Sequence, residues 1–542
     1  MLALKPGKIL RSSRMSSSTN IDQLIVILGD QLSLDSPALK QMDPKHDQVW
    51  MAEVSDEATH VPCSKIRLTL FLSAMRHFAD ELTRRKIPLS YHRAEESSAA
   101  TNLKAVLCSD LRHLKPAKVI CVEPGEWRVK EALHQACEEA GIPLQWLEDD
   151  HFLTSHSFFQ DWAKGRREWR LEYFYRAVRK SRGILLDAGE KPTGGKWNYD
   201  AANRGSFGSK GPQTVPQAAC FPPDAITQEV MGWVATNFAD HPGSIDSFNW
   251  PVTREQALLA LNEFINSRLA LFGTYQDAMW THQPILYHSC ISAAMNLKLL
   301  KPAEVIDAVL EAYQAGQVGI EATEGFIRQI AGWREFVRHI YWQSMPGYLE
   351  SNHFDAGEPL PQFYWNADTP LSCLHHCVSE TLTNGYAHHI QRLMVLGLYS
   401  LMLGVKPKEI HAWFLGVYAD AVEWVEAPNV IGMSQFADGG RMSSKPYIAT
   451  GKYIKRMSNY CQSCPRDPDQ ATGPKACPFT TLYWDFLIRH EDSLRGNQRL
   501  AFQLKNLGRL NAERRQAVTA EAARIRQDPS CQGNHPDQGS LF

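Results

Sequence analysis

LIVIL at Leu24–Leu28, followed at once by Gly29-Asp30-Gln31, opens the segment that decides the fold. Four more short apolar runs come after it: QVWMAEV (Gln48–Val54), PLSYH (Pro88–His92), KVICV (Lys118–Val122) and PLQWL (Pro143–Leu147). Between them, Lys65–Arg85 repeats apolar side chains at helical spacing (Leu68, Phe71, Leu72, Met75, Phe78, Leu82), and Asn102–Leu114 and Trp127–Ala140 look similar. Strands alternating with helices predict an α/β domain with a doubly wound, Rossmann-like parallel sheet. Ligands of such sheets sit at the carboxyl ends of the strands, which is where Gly29-Asp30-Gln31 falls. No GxGxxG follows the first strand, so a dinucleotide is not indicated there. A plain turn is the other reading of Gly29-Asp30.

At 542 residues the chain exceeds one ordinary core, and two or three domains are expected. Beyond the sheet, Lys164–Arg182 holds eight Lys/Arg against two Glu, interleaved with Trp169, Tyr173, Phe174 and Tyr175. It is either a solvated helix face or a phosphate-neutralising patch. Gly183–Pro251, rich in Gly, Pro, Ser and Asn, reads as a long linker. After Thr253 the pattern is all-α: Glu255–Phe272, His288–Leu300, Pro302–Ala315, Thr323–Trp342, Leu371–Leu403 and Pro407–Trp424. The expected organisation is an extension at 1–20, a sheet domain at 21–150, a basic segment and linker at 151–252, a helical domain at 253–495, and a tail at 496–542. The extension, basic and free of acid, reads as disordered or as preceding a start at Met15, and the tail as helical, then disordered. The net charge of −2 excludes nucleic-acid binding by bulk electrostatics, so such a partner must meet a local patch. No apolar run is long enough to span a bilayer, and twelve scattered cysteines suit the reduced thiols of a cytoplasm.

The most chemically specific stretch is NYCQSCPRDPDQATGPKACPF from Asn459, in which Cys461, Cys464 and Cys477 form C-x2-C-x12-C. Three thiolates on a proline-broken loop can grip zinc or an iron–sulfur cluster, with Cys373 or Cys377 as the nearest upstream fourth ligand. Spacing does not choose between the two metals. In the α half, Arg334 and Asp420 lie in apolar surroundings and are expected to pair. Glu426 comes just before Pro428, which is expected to end its helix. His288, Ser289 and Ser292 cluster at a helix start, where free N–H groups attract phosphate. His388 and His389, adjacent on a helix, would point about 100° apart, so one of them could face a pocket as a proton donor.

Taken together, LGDQLS at Leu28, LSAMRHFA at Leu72, EPGEWRV at Glu123, EYFYR at Glu172, EGFIRQIAGWRE at Glu324, YAHHIQRLM at Tyr386, WVEAPNVIGMSQFADGG at Trp424 and the cysteine loop resemble the cryptochrome/photolyase superfamily. Within it, they resemble the iron–sulfur bacterial cryptochrome and (6-4) photolyase group. The resemblance runs from about Gln23 to Leu487. It implies a helical domain holding a U-shaped FAD, with His288, Ser289 and Ser292 at its phosphates. Gln329, Arg334 and Asp420 would surround the flavin, and Glu426 would lie near its N5. It implies a [4Fe-4S] cluster on Cys373, Cys461, Cys464 and Cys477, and a 6,7-dimethyl-8-ribityllumazine antenna on Asp30, Gln31 and Glu57. His60 stands where lumazine-binding relatives have Tyr. Trp413 and Trp365 match electron-relay tryptophans, while Phe414 replaces a Tyr of some relatives. The implied activity is light-driven repair of (6-4) photoproducts in UV-damaged DNA by a monomer, the lesion flipped out of the stack and protonated by His389, with His388 as second choice. The alternatives are a signalling blue-light receptor, a cyclobutane-dimer photolyase, and a metal-stabilised nucleic-acid-binding protein without photochemistry.

Overall fold

The computed structural model describes residues 21–96 and 102–533; the 1–20 extension and the end of the tail lie outside them. Five strands form one parallel sheet: β1 (Gln23–Val26), β2 (Gln48–Ala52), β3 (Leu89–His92), β4 (Lys118–Val122) and β5 (Leu144–Leu147), in the order β3-β2-β1-β4-β5. Register pairs Ile25 with Val49 on one side and with Ile120 on the other. Along β1, Leu24 and Val26 join one buried cluster while Ile25 and Ile27 join the other. Both faces are therefore covered, which is why the strands read as continuous apolar runs rather than alternating ones. The order reverses between β1 and β4. There the loops carrying Asp30 and Gly125 meet, with the Gly125 N–H donating to Asp30 Oδ2 at 3.1 Å. A Cβ at Gly125 would collide with that carboxylate and with Val422 of the helical half, so glycine is what lets the two halves approach.

The linker expectation needs correction. Ala225–Asn237 within it is a helix, capped by Asp224, whose carboxylate accepts from Thr227 N at 2.9 Å. Val230 and Val234 pack it onto the Lys65–Arg84 helix. Its Glu229 also reaches a buried charge: Arg76 makes a bidentate pair with Glu53 at 2.9 and 2.9 Å, with Glu95 at 2.9 Å and Glu229 at 3.3 Å around it. Removing one partner of such a pair strands the other in a low-dielectric interior. Arg76→Ala is therefore expected to cost about 3–5 kcal/mol, measured as a lower urea midpoint at unchanged slope. Arg76→Met combined with Glu53→Gln, which leaves no stranded charge, is expected to recover part of that loss.

The remainder is helical, as expected after Thr253. Pro302 and Pro407 each occupy the first turn of a helix, where no N–H is needed. Three helices widen into π-type turns, at Arg328–Arg334, Arg392–Gly397 and Pro428–Ser434. Pro428 does not end its helix, because the backbone continues from Glu423–Ala427 into the third of these turns. The wide turn absorbs the missing donor and the ring's clash with the preceding turn. Leu371–Leu403 is not one helix either: Ser372–Asn384 stops at Gly385 in the left-handed region, and the chain restarts at His389 with His388 extended before it. Likewise, His288–Leu300 contains only the short helix Ser292–Asn296. No helix among the described residues is long and apolar enough to cross a membrane.

Candidate functional site

The three wide turns converge on one cavity of about 1000 Å³, lined among others by Gln329, Arg334, Arg392, Asn429 and Ser434. Extra backbone in each helix re-aims these side chains inward, a recurrent use of π-turns at functional sites. Two of the turns touch, and a Cβ at Gly397 would strike Ser434 Oγ. His288, Ser289, Ser292, His388, His389, Asp420 and Glu426 also line it, so nine of the polar residues singled out from sequence share this wall.

Arg334 is buried and sandwiched, its guanidinium carbon 4.7 Å from the Trp424 ring centre and 5.2 Å from that of Phe152. It donates to Asn296 Oδ1 and to Met295 O (3.2 Å), and no carboxylate pairs with it among the described residues. The expected Arg334–Asp420 pair is thus not formed. Asp420 instead pairs with Arg392 at 3.0 Å and accepts from Ser292 Oγ at 2.7 Å. Asn296 stands between the two: its side-chain oxygen takes Arg334, and its amide nitrogen donates to Asp420 O at 2.5 Å. Burial lowers the Arg334 pKa to about 10, so it stays charged at neutral pH. A buried cation without an anion is costly, and one bordering a large cavity is set to receive one.

The histidines are arranged differently from their sequence reading. His388 is 2% exposed and stacks on His288 at 4.5 Å and 13°. Among the described residues, neither ring nitrogen of His388, nor Nε2 of His288, has a protein partner. His389 presents its ring to the open cavity. Burial within the surrounding walls, then the Arg392 charge, pushes His389 down to about 4. Burial raises Glu426 to about 7 against the opposing pull of Arg392. A carboxyl raised in the folded state takes up protons the unfolded chain has released, so its stabilising contribution is full below pH 4.5 and fades as pH rises through about 7. With the cavity empty, Glu426→Gln is expected to flatten the fall of the urea midpoint between about pH 5 and 8.

A second candidate is a set of thiols. Cys373 on the Ser372–Asn384 helix, Cys461 and Cys464 beside a one-turn helix, and Cys477 capping the Pro478–Arg489 helix line one small cavity. Cys377, one turn on, is turned away, its Sγ 4.0 Å from Tyr460 Oη. Gly451 presses against this pocket, where an added Cβ would lie 2.7 Å from Cys477 Sγ. Among the described residues no three His, Cys, Asp or Glu draw close enough for a single ion. Cys373, Cys461, Cys464 and Cys477 are thus the four thiols that this one void brings together, and Cys377 is not among them.

A family model described as deoxyribodipyrimidine photo-lyase-related protein matches residues 25–250. A (6-4) photolyase of Agrobacterium fabrum is 44% identical over 503 residues, 93% of this chain and 99% of that one. The chain belongs to the photolyase/cryptochrome family. Two solved structures share the fold at low identity. A bacterial class III photolyase of Agrobacterium tumefaciens has a TM-score of 0.54 and 15% identity, covering 95% of this chain and 100% of that one. A Synechocystis cryptochrome has a TM-score of 0.55 and 13% identity, covering 93% and 98%.

In this photolyase-family chain the crevice at the sheet's reversal point is small, about 120 Å³, and lined by Asp30 and Glu57, with Trp233 and Phe238 contributed by and beside the linker helix. Burial raises Asp30 to about 6. Burial works to raise Glu57 too, but its two 2.8 Å bonds from Arg128 override this and hold it low. Gln31 does not line the crevice: its amide donates to Val122 O and Glu123 O at 3.1 and 3.2 Å, closing the β4 end. Trp413 is buried, with Tyr364 at 5.1 Å, Phe414 at 5.3 Å and Tyr418 at 5.9 Å as its ring neighbours; Phe414 also lines the main cavity. The basic segment is largely spent internally. Arg179 is buried against the Ile184, Leu185 and Trp197 carbonyls, Arg182 holds Leu153 O, and Arg170, Arg176 and Lys180 pair with Glu168, Glu172 and Glu190. Spacing of charge along a sequence does not reveal such partners.

Proposed function

We propose that this protein is a light-driven (6-4) photolyase that holds FAD in the large cavity, a [4Fe-4S] cluster on Cys373, Cys461, Cys464 and Cys477, and a lumazine-type antenna at Asp30 and Glu57. The observation that carries the reading is the buried, carboxylate-free Arg334 beside a cavity roomy enough for a dinucleotide, in a chain so similar to a (6-4) photolyase over nearly its full length. FAD would supply light absorption and the single electron that the lesion accepts. Arg334 and Asn296 would hold its anionic edge, Ser289 and Ser292 its phosphates, and Gln329 and Glu426 its ring. We divide the chain accordingly into a sheet domain at 21–150, a linker region to 252 and a catalytic helical domain to 495.

The lesion must leave the duplex, since its bonds are unreachable inside the stack. His389, facing the cavity, is the residue that meets it and donates a proton; His388 stacks behind it on His288. Burial and the Arg392 charge keep His389 neutral, so its proton is held only when negative charge comes near, with Asp420 offsetting the opposed Arg392. The test is illumination of the purified, reduced protein with oligonucleotides carrying a (6-4) photoproduct or a cyclobutane dimer. Restored pyrimidines from the first alone support the reading. Repair of the dimer alone reassigns the substrate, and repair of neither, with flavin absorbance present, leaves the blue-light receptor.

A further inference from the structure

Resting on the reading of His389 as lesion-facing proton donor, the geometry points to Gln391 as the positioning residue of the His388-His389 turn, tying it to both elements that carry the cluster thiols. Gln391 is 1% exposed and uses both ends of its carboxamide. Oε1 accepts from His388 N at 3.1 Å, capping the turn on which both histidines sit. Nε2 donates to Glu380 Oε2 at 2.8 Å and to Tyr460 Oη at 3.2 Å. Glu380 belongs to the Ser372–Asn384 helix that bears Cys373, and Tyr460 immediately precedes Cys461.

One side chain therefore joins the histidine turn and the Cys373 helix just before it to the cysteine loop 69 residues on. An amide is required chemically, because the junction needs an acceptor toward a backbone N–H and a donor toward a carboxylate. The ring atoms of His388 add nothing to this anchorage, since neither nitrogen has a partner among the described residues. The turn is held by its backbone through Gln391, and by Arg392 Nε on Ala387 O at 2.6 Å. Glu380 is committed to this contact, its other oxygen buried without a partner, and burial raises its pKa to about 7. The consequence is that the integrity of the thiol site reaches the turn carrying the proton donor through a short hydrogen-bonded path, Tyr460 to Gln391 to the His388 N–H.

The experiment exchanges the polarity of the junction. Gln391→Glu places a second carboxyl against Glu380, with Tyr460 and Cys377 the other titratable groups facing the pair. The two carboxyls bond only while they share a proton. Repair per absorbed photon is expected to be near normal at low pH and to fall about tenfold or more as pH rises and both ionise, with lesion affinity, flavin content and iron content unchanged. Adding Glu380→Gln restores a donor opposite the new acceptor and is expected to return both the yield and the flat profile. A flat profile for Gln391→Glu, or a double variant no better than the single one, overturns the inference. Parallel loss of flavin and iron in the single variant also overturns it, since that marks a merely structural residue. Full repair by His389→Ala in the same series would instead remove the donor reading on which the inference stands.

Discussion

Replacing Cys373 with alanine is expected to abolish iron and sulfide incorporation and to leave little folded protein, while Cys377→Ala leaves metal content unchanged. The four thiols belong to two helices and a proline-rich loop that cannot fold regularly on its own. The chain between the Ser372–Asn384 helix and the loop includes the His388 turn and the Arg392–Gly397 and Pro428–Ser434 segments of the large cavity. Metal binding at a structural site is folding free energy, about 10–16 kcal/mol for zinc in small domains. A native domain is stable by only about 5–15 kcal/mol. Losing one of four ligands therefore threatens the whole helical half rather than the loop alone. Cys377 gives up only a buried sulfur near Tyr460, a cost of about 1 kcal/mol. Iron and acid-labile sulfide per chain, together with thermal unfolding, separate the two variants. Normal iron in Cys373→Ala combined with its loss in Cys377→Ala would exchange their roles.

What could be read from sequence followed from how each element is stabilised. β1 and β4 were legible because both faces of the sheet are covered, which makes their runs continuous and apolar. The linker helix Ala225–Asn237 was hidden by Pro222, Pro223 and Gly232, although Asp224 three residues before Thr227 is a capping signal that could have exposed it. Residues 323–342 read as one amphipathic helix, and apolar spacing carries no mark for the extra residue of a π-turn. Gln329 and Arg334 were therefore grouped by family likeness, and both line the large cavity, while their partners could not be read. The choice of Asp420 as partner for Arg334 failed for the same reason: burial can be guessed from neighbours, direction cannot. Cys373 and Cys377 are one turn apart on one helix, and only the position of the loop distinguishes them.

His389→Ala is expected to lower the repair yield by about 10²–10⁴-fold, the usual span of a lost general acid, with flavin absorbance and affinity for damaged DNA retained. The two histidines differ in what they touch. His388 is enclosed and stacked on His288, whereas His389 is exposed and opens onto the cavity. Removing His389 takes away a proton source without removing packing. Removing His388 leaves a void beside His288 and is expected to weaken flavin retention as well as yield. His389→Asn, which can hydrogen-bond but not carry a proton, separates donation from orientation and is expected to stay near the alanine level. Arg392 supplies a second check, because its charge opposes a proton on His389 while Asp420 offsets it at 3.0 Å. Asp420→Asn removes the offset and should lower the His389 pKa further. The upper limit of the repair pH profile should then move to lower pH, whereas a residue that only shaped the pocket would reduce yield equally at every pH.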